Sequence, residues 1–252
     1  MLGIVLLLAT ALPAHADSGM SSSSAATTVL AQINQQRAAR GLVALQVDDR
    51  LQGIAQDRAT RLATHEILSH DIAGNMTQDL ALRSVRWLAY GEVIGYASGT
   101  ADAAMRSITR MWMASADHEP LLMSPRYNYV GVGVADGTRS GLTYSSVVLT
   151  EAPDRTGPRA AVTGAVASAS SVRWTWSGSD VPLQSHTSGL RDFTVQLRMD
   201  HGAWTTIGTN LASTARTSTH RTRGHWYGLR VRARDRAGNL GPWSRERRIW
   251  LP

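Results

Sequence analysis

The chain of 252 residues contains no cysteine and no lysine. The first absence excludes disulfide bracing and removes the thiolate as metal ligand or nucleophile. Stability must then come from packed cores, which a hydrophobic content of 43% allows. The second absence makes all 26 basic residues arginine. That is a coding bias as much as a choice, so the distribution of arginines says more than any single one. Long apolar runs are also missing. The most apolar stretch, residues 3–12, is too short to cross a bilayer as a helix, and no internal repeat is visible.

What is present at the start is an export signal. The run 3–12 is followed by Ala14-His15-Ala16, the small-x-small pattern of a cleavage site. Residues 1–16 are therefore predicted to be a signal peptide, which makes the protein secreted or envelope-associated. Only Met1-Leu2 precede the run, without an arginine, so the start is expected to be truncated. Ser21 to Ser24 predict a disordered segment over 17–26.

Charge divides the rest. Residues 17–153 hold 11 arginines against 13 acids, whereas residues 154–252 hold 15 against 6. Such asymmetry predicts two domains. The boundary falls at Ala152-Pro153-Asp154-Arg155-Thr156-Gly157-Pro158, where proline and glycine favour an extended linker, placed at 153–164. With few apolar residues in that linker, each half is expected to fold alone.

Residues 27–152 read as α+β. Thr28 can cap a helix over 29–40 with Gly41 at its end, and Asp48 can cap a second. In that second helix Leu51, Ile54, Ala55, Ala59 and Leu62 recur at three- and four-residue steps. A third helix is placed at 77–88. The clearest helix starts from a Thr100 cap and carries Ala101, Ala104, Met105, Ile108, Met111, Trp112 and Ser115 on one face, with His118 just beyond. Two strands follow, 129–135 and 142–150. In the first, Gly131 and Gly133 alternate with Val130, Val132 and Val134, which predicts close approach by another element.

The polar groups that look chosen lie around that helix. They are His70, Glu92 beside Gly91, Ser115 and His118. The order His70…Gly91-Glu92-Val93-Ile94…Trp112-x-x-Ser115-x-x-His118…Val130-Gly131-Val132-Gly133-Val134 resembles the CAP superfamily (SCP-like domains), its short bacterial branch in particular, over residues 27–151. The resemblance implies an α-β-α sandwich with a central cleft, in which His70 and His118 match the family's two histidines and Glu92 the acid of its G-E-N-I motif. Val93 replaces the asparagine of that motif, Ser115 stands where animal members have a second glutamate, and Glu119 stands where bacterial members often have arginine. The family is associated with lipid, sterol and metal binding and with protein interaction.

Two imidazoles and one carboxylate are the donor set of an open zinc site, so His70, Glu92 and His118 are the candidate metal ligands and zinc the candidate metal. A buried hydrogen-bonded network bracing the cleft is the competing reading. Functionally, an extracellular protein holding a small ligand or lipid in this cleft competes with a zinc-dependent hydrolase. Ser115 with His118 alone lacks the orienting acid and oxyanion hole of a nucleophilic site.

Residues 165–252 read as all-β, with apolar–polar alternation at 172–176, 193–198, 204–207 and 226–235. The pattern Tyr227-x-Leu229-x-Val231-x-Ala233…Gly238-Asn239…Gly241-Pro242-Trp243-Ser244 resembles a fibronectin type III or related Ig-like sandwich. Arg230, Arg232 and Arg234 share one strand face, opposite Leu229, Val231 and Ala233. That face is the candidate attachment surface for an anionic envelope polymer; no nucleic-acid motif accompanies the charge.

Overall fold

The computed structural model describes residues 18–184 and 187–252, so the export segment expected over 1–16 lies outside the described residues. The first half is a three-layer α-β-α arrangement and the second is all-β.

In the first half a four-stranded sheet runs in the order β1-β3-β4-β2, built from β1 (Gln46–Val47), β2 (Ala89–Ser98), β3 (Tyr129–Asp136) and β4 (Leu142–Glu151). Helices α1 (Ser18–Ala39) and α5 (Ala101–Met113) cover one face. There Val29, Ile33, Met105, Ile108 and Trp112 bury against Val93, Val130, Val132 and Val147. Helix α2 (Asp49–His65) covers the other face, with α3 (His70–Ala73) and α4 (Met76–Leu82) beyond it.

The alternating glycines of β3 have the expected reason. A Cβ on Gly131 or Gly133 would fall within 2.1 Å of the α2 backbone at Leu51 or Ala55. At that distance α2 substitutes for a strand. Gln52 donates from Nε2 to Val132 O (2.5 Å) and accepts from Val132 N (3.1 Å). Gln56 repeats the pair on Val134 at 2.9 and 3.3 Å. Beyond the two-residue β1, these amides satisfy backbone groups that would otherwise face a helix without partners.

Three local expectations are corrected. Helix α1 begins at Ser18, not after Thr28, and the segment expected to be disordered is helical over 18–26. Ala25 and Ala26 bury with Val29 and Ile33, which extends the apolar stripe upstream. Thr28 is an interior residue whose hydroxyl donates to Ser24 O. The third helix stops at Leu82, because Ser84 takes a left-handed backbone (φ 51°) that ends it. Helix α5 ends at Met113, so Ser115 lies in the turn after it.

The second half is a sandwich. Strands β5 (Arg159–Ser168), β6 (Ser171–Ser179) and β9 (Ala215–Ser218) form one sheet. Strands β7 (Leu190–Met199), β8 (Thr205–Leu211), β10 (His225–Asp235) and β11 (Arg247–Leu251) form the other, in the order β11-β10-β7-β8. Trp174, Trp176, Phe193, Val195, Leu229 and Val231 fill the space between them. Tyr227 Oη donates to Thr222 O, a backbone group five residues upstream, in the manner of a tyrosine corner.

The linker is shorter than expected and is not free. Strand β5 already starts at Arg159; its alternation rests on Ala160, Val162, Ala165 and Ala167, small residues that give a weak signal. Tyr129 Oη accepts from Arg155 N (2.6 Å), and the Arg155 guanidinium lies 4.3 Å over the Tyr129 ring while pairing with Asp48 at 2.8 Å. On the other side Asp154 accepts from Ser188 N and Oγ, and Asn239 Nδ2 donates to Asp154 O. Leu183, from the β6–β7 connection, is buried in a cluster with Leu51, Tyr129, Val148 and Ala152. The two halves are docked.

Candidate functional site

Glu92 and Ile94 point from β2 toward the α2 side. Gly91, Val93 and Gly95 point the other way, into Tyr127, Ile108 and Trp112. Valine at 93 is thereby explained, since its side chain is fully buried in the α1–α5 core. Glu92 meets the one charged residue on the buried face of α2, Arg58, in a two-pronged pair: Nε to Oε1 at 2.6 Å and Nη2 to Oε2 at 2.7 Å. The remaining donor edge of Arg58, Nη1, reaches Gly74 O and Asp79 Oδ2, and Asp79 also holds Arg61. Ser146 donates to Glu92 Oε1 (2.7 Å), and His70 Nδ1 lies 2.7 Å from Oε2.

Burial on its own would raise the Glu92 pKa. The hydrogen bonds and charge of Arg58, aided by Ser146 and His70, outweigh burial and hold it below the ordinary glutamate value. Glu92 is thus an ionised acceptor, and His70 donates to it from Nδ1, which leaves Nε2 turned away from the carboxylate. Arg58 shows the mirror balance. Burial opposes its charge, but Glu92 and Asp79 raise its pKa.

The second polar pair is separate. His118 caps the short helix α6 (Glu119–Leu122) without a side-chain hydrogen bond to it. Its Nδ1 is 2.8 Å from Ser115 Oγ, and that oxygen accepts from Asp117 N. Glu119 turns to Arg40 at 3.2 Å, so the acid next to His118 serves α1. His70 with Glu92, and Ser115 with His118, are brought together as pairs.

The three expected metal ligands are not gathered into one group. Among the described residues, the only group of three or more acid or imidazole side chains with donor atoms within 4.8 Å of one another is Asp154, Asp180 and Asp235, at the junction of the halves. Those three accept from Thr156, Ser188, Gly189 and Asn239. His70, Glu92 and His118 form no such group, and the Glu92 oxygens are already held by a guanidinium. In this arrangement a cationic side chain occupies the carboxylate that a zinc ion would need.

In the sandwich, Arg230, Arg232 and Arg234 do share a face, but they are half-buried rather than projecting. Arg230 lies over the rings of both Trp204 (4.4 Å) and Trp243 (4.6 Å) and donates twice to Gln196 Oε1. Arg232 lies over Trp243 at 4.7 Å and Arg198 over Trp204 at 4.6 Å, while Arg198 pairs with Glu246. Arg234 donates to Asp192 and Asn210. The face is an arginine–tryptophan ladder.

Residues 30–149 match the sequence model of the cysteine-rich secretory protein family, CAP. Residues 30–149 are a CAP-family domain. It keeps that fold with no cysteine at all. Three solved structures are similar to parts of the chain. A cysteine-rich secretory protein from Staphylococcus aureus is 20% identical over 53% of this chain, at a TM-score of 0.44; the chain spans 40% of that protein. An outer surface protein from Borrelia burgdorferi is 16% identical over 51% of this chain and 93% of its own, with a TM-score of 0.46. For the second half, a fibronectin type III-like protein from Clostridium thermocellum is 24% identical over 39% of this chain and 96% of its own, with a TM-score of 0.28. No curated protein matches the chain. Among the described residues, no helix is long and apolar enough to cross a membrane.

Arg58 is the CAP-domain site residue that sequence reasoning passed over. The signal was there: it sits four residues after Ile54 and seven after Leu51, inside the apolar stripe of α2, where a charge needs a buried partner. Trp204 and Trp243, by contrast, approach Arg230 from two different segments, and no local pattern announces that.

Proposed function

We propose that this is an extracellular binding and attachment protein. In this reading its CAP domain presents a braced polar cleft to a small ligand, and its sandwich adheres to an anionic envelope polymer. One observation carries the choice of binding over hydrolysis: Glu92, the acid that would be a metal ligand or general base, is saturated by Arg58, Ser146 and His70. A base must be able to take a proton. A carboxylate locked in a bidentate guanidinium pair with a depressed pKa is poorly suited to that. His70, more than half exposed at its side chain, is the group left to meet a ligand. Export rests on the signal pattern over residues 1–16.

The attachment reading rests on charge. The second half carries 15 arginines against 6 acids, and exposed cations attract polyanions through a field screened over about 8 Å at physiological salt. The test is retention of the full chain on dextran sulfate, read as the salt concentration that elutes it. Replacing Arg230, Arg232 and Arg234 together by glutamine should lower that concentration while the sandwich still melts cooperatively. An unchanged elution from a folded variant would remove this face from the reading. For the cleft, zinc titration followed by calorimetry should show no saturable binding that depends on His70 and His118; binding lost on His70→Ala and His118→Ala would reinstate the metal enzyme.

A further inference from the structure

The sandwich is open at one end. Between β7, β8 and the segment 219–222 lies a cavity of about 460 Å³. Its wall is apolar where it meets the core, through Leu197, Ile207 and Tyr227, and Met199 stands 44% exposed beside it. Tyr227 cannot close the space, because its hydroxyl is tied to Thr222 O. The polar part of the lining is cationic or neutral: Arg221, His220 and Arg198 contribute, and no acid among the described residues lines the cavity. Arg198 is already paired with Glu246. Arg221 differs. Its backbone is anchored by a bond from its N–H to Ser170 O, while its side-chain Nε is shielded from solvent and has no hydrogen-bond partner among the described residues. A shielded donor of a permanently charged group without an acceptor is costly to leave unmade.

We propose that this cavity binds a small amphipathic carboxylate, its aliphatic body against Leu197 and Ile207 and its head group on Arg221. A bare inorganic anion would satisfy Arg221 but leave the apolar wall wet. A neutral hydrocarbon would do the reverse. Only a ligand with both parts answers both features. The site lies in the sandwich and does not depend on the CAP cleft or on the arginine–tryptophan ladder.

Calorimetric titration of the full chain with decanoate, below its micellar concentration, tests the assignment. The expected result is saturable one-to-one binding, about tenfold weaker for decanol and about tenfold weaker for decanoate on Arg221→Gln, the scale of one lost charge-assisted hydrogen bond. Ala203→Phe, in the turn at the cavity mouth, should abolish binding without touching a strand. Retention on dextran sulfate should survive Ala203→Phe, which separates this site from polymer attachment. No saturable binding by the folded wild-type protein, equal affinity for decanoate and decanol, or full affinity in both folded variants would each overturn the proposal.

Discussion

Arginine is used in opposite ways by the two halves. In the CAP domain Arg37 and Arg58 are almost wholly buried, and each saturates backbone or carboxylate acceptors that lie far apart in sequence. Arg37 bonds the carbonyls of Val43, Leu122, Ser124 and Tyr127, and burial pushes its pKa down to about 10. In the sandwich Arg198, Arg230 and Arg232 line an outer sheet face, half-buried, stacked on tryptophan and paired laterally. The inner kind is a cross-link and the outer kind a cladding. Both depend on a planar, delocalised cation with a fixed fork of donors, which lysine could not supply. A chain without cysteine or lysine can thus obtain long-range ties and a basic face from one residue type.

The comparison is broken most severely at Arg58. Arg58→Ala removes the cation that pairs with the buried, ionised Glu92, and urea unfolding should show a loss of about 3–5 kcal/mol. Arg58→Lys should recover only part of it, because a point charge cannot make the two-pronged pair. Arg37→Ala comes next. It leaves buried carbonyls unsatisfied without stranding a charge, so a loss of about 2–3 kcal/mol is expected by the same measurement.

An acid titration sharpens the contrast. The folded Glu92 pKa is depressed below the ordinary value of 4.5. Its contribution to stability is therefore present above about pH 4.5 and is lost as pH falls through the folded value. Thermal melts of the CAP domain should decline over that window, and Glu92→Gln should flatten the decline while lowering stability at neutral pH. The smallest effect belongs to the ladder. A double-mutant cycle on Arg230 and Trp243 should give a coupling of about 0.5–1 kcal/mol, as for an exposed cation–π pair. Coupling as large as that of Arg58 with Glu92 would erase the distinction between the halves.

What could be read from sequence was what repeats locally. The face of α2, that of α5 apart from the exposed Met111, the Thr100 and Asp48 caps, and the alternation of β3 and β10 all follow from short-range spacing. The pairing of His70 with Glu92 was legible through family resemblance. Arg58 stood out within the α2 stripe, but its pairing with Glu92 was not legible, since that partner is 34 residues away and no spacing rule connects a helix stripe to a strand three elements later. The docked linker escaped for a related reason. Pro153 and Pro158 do suggest an extended segment, but the contacts that pin it come from Tyr129 on one side and Ser188 and Asn239 on the other. The weak alternation of β5 hid the start of the sandwich.

Gln52 and Gln56 work as a vernier between two unlike rulers. Four residues of α-helix advance about 6.0 Å, whereas two residues of strand advance about 6.8 Å. The mismatch of about 0.8 Å per rung must accumulate. It is already visible here. The first rung closes at 2.5 and 3.1 Å and the second at 2.9 and 3.3 Å. The next position, Thr60, makes no third rung and turns back to Gln56 O. A helix can therefore imitate the edge of a sheet for about two steps, which is the stretch of β3 left uncovered once β1 has paired with Tyr129 and Val130.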